Sequence, residues 1–127
     1  MKTTHRPVLR ALFELCRYDL MHGLLGIADV ERQLGGPPAN QVAADPEVET
    51  LVCEAVVLAT CLYWKPVLCL QRSICTVRLL RLHGLPARLV VGYRSAPFSS
   101  HAWVEVDNRI VNDSPAYRER LRILYTA

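Results

Sequence analysis

The sequence lacks an uninterrupted apolar run of membrane-spanning length. Its most apolar segment, residues 51–64, contains Glu54 and falls short of the roughly 18 residues that a transmembrane helix needs. The N-terminal apolar segment is interrupted by Glu14, Arg17 and Asp19, which is unlike a signal peptide. These absences predict a cytoplasmic protein without a membrane partner.

Charge of one sign is not concentrated anywhere in the chain. The net charge is +3 and the arginines are spread along apolar segments, so composition does not favour a nucleic-acid partner. The five cysteines include no CxxC pair, which favours free thiols in a reducing compartment. What is present is a chain of 127 residues that is 51% hydrophobic and 21% charged, a composition typical of one globular domain.

The first half of the chain has helical periodicity. Residues 6–34 predict two helices interrupted near His22-Gly23, followed by the Gly- and Pro-rich segment 35–47. Further helices are predicted at about 47–64 and 68–83. The second of these ends at His83-Gly84, where glycine can adopt the left-handed conformation that closes a helix.

The second half alternates with a period of two. This pattern predicts strands at 87–93, 101–106 and 109–113, with a short helix or an edge segment in the tail after Pro115. Helices followed by antiparallel strands are typical of an α+β fold.

Two of the cysteines, Cys69 and Cys75, lie in the helix predicted at 68–83 but occupy different faces. At 100° per residue, Cys75 points about 120° away from Cys69. Cys69 falls in the first turn, where unpaired N–H groups and the helix dipole favour a thiolate. Cys69 is therefore the candidate nucleophile, although a small buried residue is the commoner role for a cysteine in an apolar helix.

A thiol nucleophile needs a base, and the candidate is His101. It opens an alternating strand on which Trp103 and Glu105 share its face. The other histidines fall at positions where surface or capping roles are expected: His5, His22 and His83.

The turn after this strand decides which residue lies opposite His101. A two-residue turn at Asp107-Asn108 would place Ser114 there. A three-residue loop beginning at Val106 would place Asp113 there instead, within reach of an imidazole–carboxylate hydrogen bond. The second arrangement predicts a Cys–His–Asp triad. A local turn in the segment NDSP is the alternative role for this acid.

Six short motifs then suggest a family. They are Cys-Leu-x-Arg-Ser at 69–73, Leu-Leu-Arg-x-x-Gly at 79–84, Pro-Ala-Arg-Leu at 86–89, Pro-Phe at 97–98, His-Ala-Trp-Val-Glu at 101–105 and Asn-Asp at 112–113. Together they resemble the transglutaminase-like protease domain of the lasso-peptide maturation B proteins. The resemblance is strong over 67–114 and looser over 6–64.

The resemblance implies a papain/transglutaminase-like fold, in which a helix bearing the nucleophile packs on an antiparallel sheet. It implies a single domain, 1–127, with an N-terminal helical part (1–46) and a catalytic core (47–127). Carried over residue by residue, Cys69 matches the nucleophile, His101 the base and Asp113 the orienting acid. No cofactor and no metal are implied.

Members of that family are leader peptidases. They cut the leader from a ribosomally made precursor peptide and free the core N-terminus for a lasso cyclase. Residues 1–50 lack the strand pattern of the recognition domain that many members carry in front. The resemblance therefore implies three partners: the precursor peptide, a separate leader-recognition protein and the cyclase.

Other hypotheses stay open. One is a different thiol amidase or acyltransferase on the same fold, because fold does not determine substrate. A second is a catalytically silent scaffold or binding module. A third is a metal site whose ligands would be Cys69, Cys75, His83 and His101. The spacing of these residues matches no zinc signature. For the oxyanion hole, the Cys69 N–H is expected as one donor, with Gln71 or Trp64 among candidates for the second.

Overall fold

Helices precede the sheet along the chain in the computed structural model, which describes residues 5–21, 27–35 and 45–127. The helices are α1 (His5–Met21), α2 (Ile27–Leu34), α3 (Pro46–Leu62), α4 (Cys69–Leu82) and α5 (Tyr117–Arg120). The strands are β1 (Ala87–Ser95), β2 (Phe98–Val106), β3 (Arg109–Ile110) and β4 (Arg122–Thr126). The α+β prediction is confirmed. Across the described segments, none of the helices has the length and apolar character needed to cross a membrane.

The ends of α3 and α4 follow local sequence signals. The Asp45 carboxylate caps α3 by accepting hydrogen bonds from the N–H groups of Glu47 (3.1 Å) and Val48 (3.4 Å). Gly84 ends α4 with φ of +84°, a conformation that glycine adopts without a Cβ penalty. Both helices agree with the predicted bounds to within two residues.

The N-terminal helices attach to α4 through a polar contact. Arg78 Nε donates to the buried carboxylate of Glu14 at 2.6 Å, and Arg78 Nη1 donates to the carbonyl of Gln33 at 3.0 Å. One arginine therefore joins α1, α2 and α4. The predicted interruption at His22-Gly23, and residues 36–44 of the 35–47 segment, lie outside the described residues.

The sheet is antiparallel with strand order β3-β2-β1-β4. In the central pair, Gly92 of β1 lies opposite His101 of β2. β4 runs along the outer edge of β1, and Leu124 is an extra residue opposite the Val91–Gly92 step, which makes a β-bulge. The tail thus contains both a short helix and an edge strand.

The turn between β2 and β3 is shorter than the three-residue loop predicted. Val106 pairs with Arg109, so only Asp107 and Asn108 form the turn, with φ of 51° and 62°. Two left-handed residues are the mark of a type I′ turn, whose twist matches that of the flanking strands. The three-residue loop was wrong because Asp, like Asn, tolerates the left-handed region. β3 consequently has two residues instead of the five predicted.

Helix α4 lies between helices α1–α3 and one face of the sheet, in contact with α1, α2, α3, β1 and β2. The main core forms where these elements meet and includes Ile74, Val77, Leu80, Leu89, Val104 and Val106. A second, smaller cluster covers the opposite face of the sheet and contains Val90, Trp103 and Leu121. Burial on both faces fixes the position of β2 relative to the first turn of α4.

Candidate active site

Cys69 is the first residue of α4 and is partly buried. The residue before it, Leu68, is extended and provides no side-chain hydrogen bond to cap the helix. The first-turn N–H groups therefore have no side-chain acceptor from the cap position, and they leave positive potential beside the Cys69 sulfur. The position of Cys69 at the start of the helix is the one predicted from the sequence.

A cavity of about 360 Å³ joins Cys69 to His101. Its remaining lining is mostly apolar and comprises Val30, Leu70, Val91, Ser100, Ala102, Leu124 and Tyr125. Leu124 and Tyr125 are consecutive in β4, where a regular strand would point them to opposite faces. The bulge at Leu124 is what allows both to line the same cavity.

His101 pairs with Asp113, as the sequence predicted, but by a different route. His101 Nε2 lies 2.6 Å from Asp113 Oδ2, and Asp113 Oδ1 accepts a hydrogen bond from the Ser114 N–H at 2.9 Å. Asp113 is not a cross-strand neighbour, since β3 ends before it. The side chain of Asn112 accepts a hydrogen bond from the Val104 N–H at 2.8 Å, and the segment that contains Asp113 follows directly after it.

Arg72 also binds Asp113, which the sequence analysis missed. Its Nη2 donates to Asp113 Oδ2 at 3.1 Å, the same oxygen that faces His101. Arg72 lies three residues after Cys69, so it projects from the same side of α4. The three-residue spacing from Cys69 was the feature of the sequence that could have placed Arg72 near the site. Helical periodicity does not indicate the contact itself, because the partner of Arg72 is 41 residues away in the chain.

A second polar contact joins α4 to β2 directly behind His101. Ser73 Oγ donates to the carbonyl of Ala102 at 3.2 Å and accepts from Asn112 Nδ2 at 3.4 Å. The last two residues of the motif Cys-Leu-x-Arg-Ser therefore have a structural role. Arg72 and Ser73 attach the helix to the two segments that carry His101 and Asp113.

Aromatic rings flank His101. The ring of Tyr117, from α5, stacks on the imidazole with centroids 4.2 Å apart, and Trp103 lies 6.3 Å away on its own strand. Trp103 is fully buried, and its Nε1 donates to Glu105 at 2.9 Å. His101, Trp103 and Glu105 thus share one face of β2, as predicted. Tyr117 was missed, because no local pattern places the tail over this strand.

The carboxylate of Glu105 is fully buried and paired with Arg118 of α5, at 2.7 Å and 2.9 Å. Burial by itself would raise its pKa. The hydrogen bonds from Arg118 and Trp103 and the charge of Arg118 outweigh burial, so the pKa of Glu105 lies below its usual value. Glu105 is consequently ionised at neutral pH.

Cys75 differs from Cys69, as helix phase predicted. It is buried in the main core, and burial together with the nearby carboxylate of Glu14 raises its pKa well above the usual thiol value. Burial also raises the pKa of Cys53 to about 11. Neither thiol is ionised near neutral pH, so neither is an effective nucleophile there.

The two side chains suggested for the second oxyanion donor, Gln71 and Trp64, do not line the cavity. Gln71 Nε2 instead donates to the Leu15 carbonyl at 3.1 Å and to Asp19 at 3.2 Å, which directs the amide toward α1. Trp64 is 77% exposed. The backbone N–H of Cys69 remains the donor indicated by position.

The four-residue metal set is not brought together. His83 follows the C-terminal end of α4, about 20 Å along the helix axis from Cys69, and Cys75 faces the core. In the segments that the structure describes, no group of three or more His, Cys, Asp or Glu side chains could hold a metal ion.

Comparison with known proteins agrees with this architecture. Over 56 residues the chain is 41% identical to the microcin J25-processing protein McjB of Escherichia coli. That alignment covers 44% of this chain, and the chain matches about a quarter (27%) of the length of that relative. No solved structure matches the chain significantly. The Transglutaminase-like superfamily matches residues 13–126, nearly the whole sequence, and the chain therefore belongs to the transglutaminase-like superfamily.

Proposed function

We propose that this protein is a cysteine leader peptidase that removes the leader from a ribosomally made lasso precursor peptide. The observation that carries the proposal is that Cys69 and His101 line one cavity while His101 is paired with Asp113. A thiol at a helix start, a base and an orienting carboxylate are the parts of a thiol acyl-transfer site. The similarity to a microcin-processing protein supports the choice of substrate.

The tautomer of His101 follows from its contact with Asp113. With Nε2 as the donor to the carboxylate, Nδ1 is the nitrogen that accepts the proton of Cys69. Transfer of that proton gives a thiolate–imidazolium pair. The charge of Asp113 and the first turn of α4 stabilise the two ions.

The thiolate attacks the carbonyl carbon of the last leader residue. The backbone N–H of Cys69 donates to the oxygen that becomes negative. The C–N bond then breaks, the imidazolium gives its proton to the departing amine, and a thioester remains on Cys69. Water, activated by His101, hydrolyses the thioester to a carboxylic acid and restores the thiol.

The released product is a core peptide with a free N-terminal amine. A lasso cyclase, the proposed downstream partner, consumes that amine in forming the ring. A separate leader-recognition protein is proposed to deliver the precursor. We place this sequence of events in the cytoplasm.

The test combines the protein with a lasso precursor and its recognition protein and follows leader release by mass spectrometry. We expect Cys69→Ala to abolish release and Cys75→Ala to retain it, because only the first thiol borders the cavity. Release by Cys69→Ala would overturn the assignment of the nucleophile. Cleavage of unrelated peptide amides as fast as the precursor would favour a general thiol amidase instead.

A further inference from the structure

The four-residue helix α5 has no buried side chain, yet it is firmly anchored. Arg118 makes two hydrogen bonds to Glu105, whose carboxylate is inaccessible to solvent, and Trp103 Nε1 donates to the same carboxylate. Two-point arginine–carboxylate pairs fix orientation as well as distance. The anchor therefore determines where the residue beside Arg118, Tyr117, is placed.

Tyr117 is placed on the imidazole of His101. The two ring centroids are 4.2 Å apart and the ring planes differ by 26°, while Trp103 lies nearly parallel to Tyr117, with centroids 6.0 Å apart. A ring at this distance restricts rotation of the imidazole about its Cβ–Cγ bond and excludes water from one of its faces. Its π electrons also favour the charged imidazolium.

From this geometry, and resting on the proposed thiol chemistry, we infer that Tyr117 is a positioning residue for His101, held in place by the Arg118–Glu105 pair. By restraining the ring it keeps Nε2 on Asp113 and leaves Nδ1 as the nitrogen available to the Cys69 thiol. The protein thus uses its C-terminal segment to sustain the thiolate–imidazolium pair.

Besides Trp103, four other side chains lie near His101 or its partner. Asp113 contacts Nε2, Arg72 shares the same carboxylate oxygen, and Cys69 and Tyr125 line the adjoining cavity. None of these covers the ring face that Tyr117 occupies. Substitution of Tyr117 therefore uncovers that face and removes none of the hydrogen-bond partners of His101.

The test measures alkylation of Cys69 by iodoacetamide, mapped by mass spectrometry on the intact chain at about pH 6 and about pH 9. Near pH 6 a thiolate depends on the imidazolium, whereas near pH 9 a thiol ionises without help. The exposed residues Cys16 and Cys61 serve as internal controls in every sample. This readout needs no precursor peptide, so its outcome is separable from a failure of the peptidase proposal.

We expect Tyr117→Leu to lower the pH 6 to pH 9 ratio of Cys69 alkylation about five- to tenfold, with Cys16 and Cys61 unchanged. Tyr117→Phe, which keeps the ring, should stay within about twofold of the natural protein. Arg118→Gln should reproduce part of the loss, because it releases the anchor and leaves the ring intact.

Ile123→Ala is the matched control for stability, since it removes a half-exposed apolar side chain from β4 at a position that lines neither the cavity nor the ring stack. It should leave the ratio unchanged. A ratio in Tyr117→Leu equal to that of the natural protein, or an equal loss in Tyr117→Phe, would overturn the inference. If Tyr117→Leu does not fold, the comparison of Arg118→Gln with Ile123→Ala decides in its place.

Discussion

Gly92 faces Trp103 across the central strand pair, where there is no room for a methyl group. A Cβ at position 92 would lie 2.7 Å from Trp103 Cη2 and 2.9 Å from both Trp103 Cζ3 and Leu121 Cβ. Carbon atoms in ordinary contact are roughly 3.5–4.0 Å apart. Trp103 has little freedom to move, because it is fully buried and its Nε1 is bonded to Glu105.

Gly92→Ala should therefore destabilise the protein by about 2 kcal/mol, the middle of the range for overpacked cores. The sign of the change in unfolding free energy distinguishes overpacking from the usual effect of this substitution. In an unstrained strand the same substitution would stabilise by about 0.5–1 kcal/mol, because alanine reduces the conformational entropy of the unfolded chain. Urea unfolding followed by far-ultraviolet circular dichroism measures the difference, with exposed Arg94→Ala as a control expected to stay within about 0.5 kcal/mol.

A double-mutant cycle identifies the contact responsible. Trp103→Phe shortens the ring that the new methyl group would meet, so Gly92→Ala should cost at least about 1 kcal/mol less in that background. A stabilising or neutral effect of Gly92→Ala in the natural background would refute the reasoning. So would an equal cost in both backgrounds.

Three further predictions concern the acid, the buried carboxylate of Glu105 and a helix cap. Asp113→Asn should lower the rate of leader release by up to about 10⁴-fold, because an amide supports the wrong imidazole tautomer; a rate within threefold of the natural protein at saturating precursor would contradict this role. Since the pKa of Glu105 is lowered in the folded state, its ionisation stabilises the protein above the ordinary glutamate value of 4.5, and this contribution disappears as pH falls through the folded value. Urea titrations at several acidic pH values should show that the free energy of unfolding of the natural protein falls on acidification. The fall should be smaller in Glu105→Gln. Asp45→Ala should cost about 1 kcal/mol by urea unfolding because two N–H groups of α3 lose their acceptor, and an unchanged midpoint would exclude the cap.

Local sequence signals were sufficient for the helix that carries the candidate nucleophile. The rotation of 100° per residue predicted that Cys69 and Cys75 point to different sides of α4. The structure places Cys69 at the cavity and Cys75 in the core. The stop at Gly84 was equally local, because only a residue without a Cβ adopts that φ freely. These features depend on neighbours within one or two turns.

The rest of the site depends on contacts that periodicity does not encode. The turn type was misjudged because both Asp107 and Asn108 tolerate positive φ, so residue preference left two registers open. Asp113 still lies beside His101, through an irregular segment that contains the Asn112 side-chain hydrogen bond. Tyr117 is brought to His101 by the ion pair between Arg118 and the buried carboxylate of Glu105, residues 13 apart in the sequence.

The separation of the site's parts along the chain has a consequence for how activity is lost. His101 and Asp113 are 12 residues apart, whereas Arg72, next to the candidate nucleophile, is 41 residues from Asp113. Closing the longer loop costs about 1 kcal/mol more in chain entropy. Because α4 also contributes Ile74, Val77 and Leu80 to the main core, detaching it from the sheet disrupts that core. A substitution that loosens only the Arg72 contact would instead weaken the link between α4 and Asp113 and leave His101 and Asp113 paired.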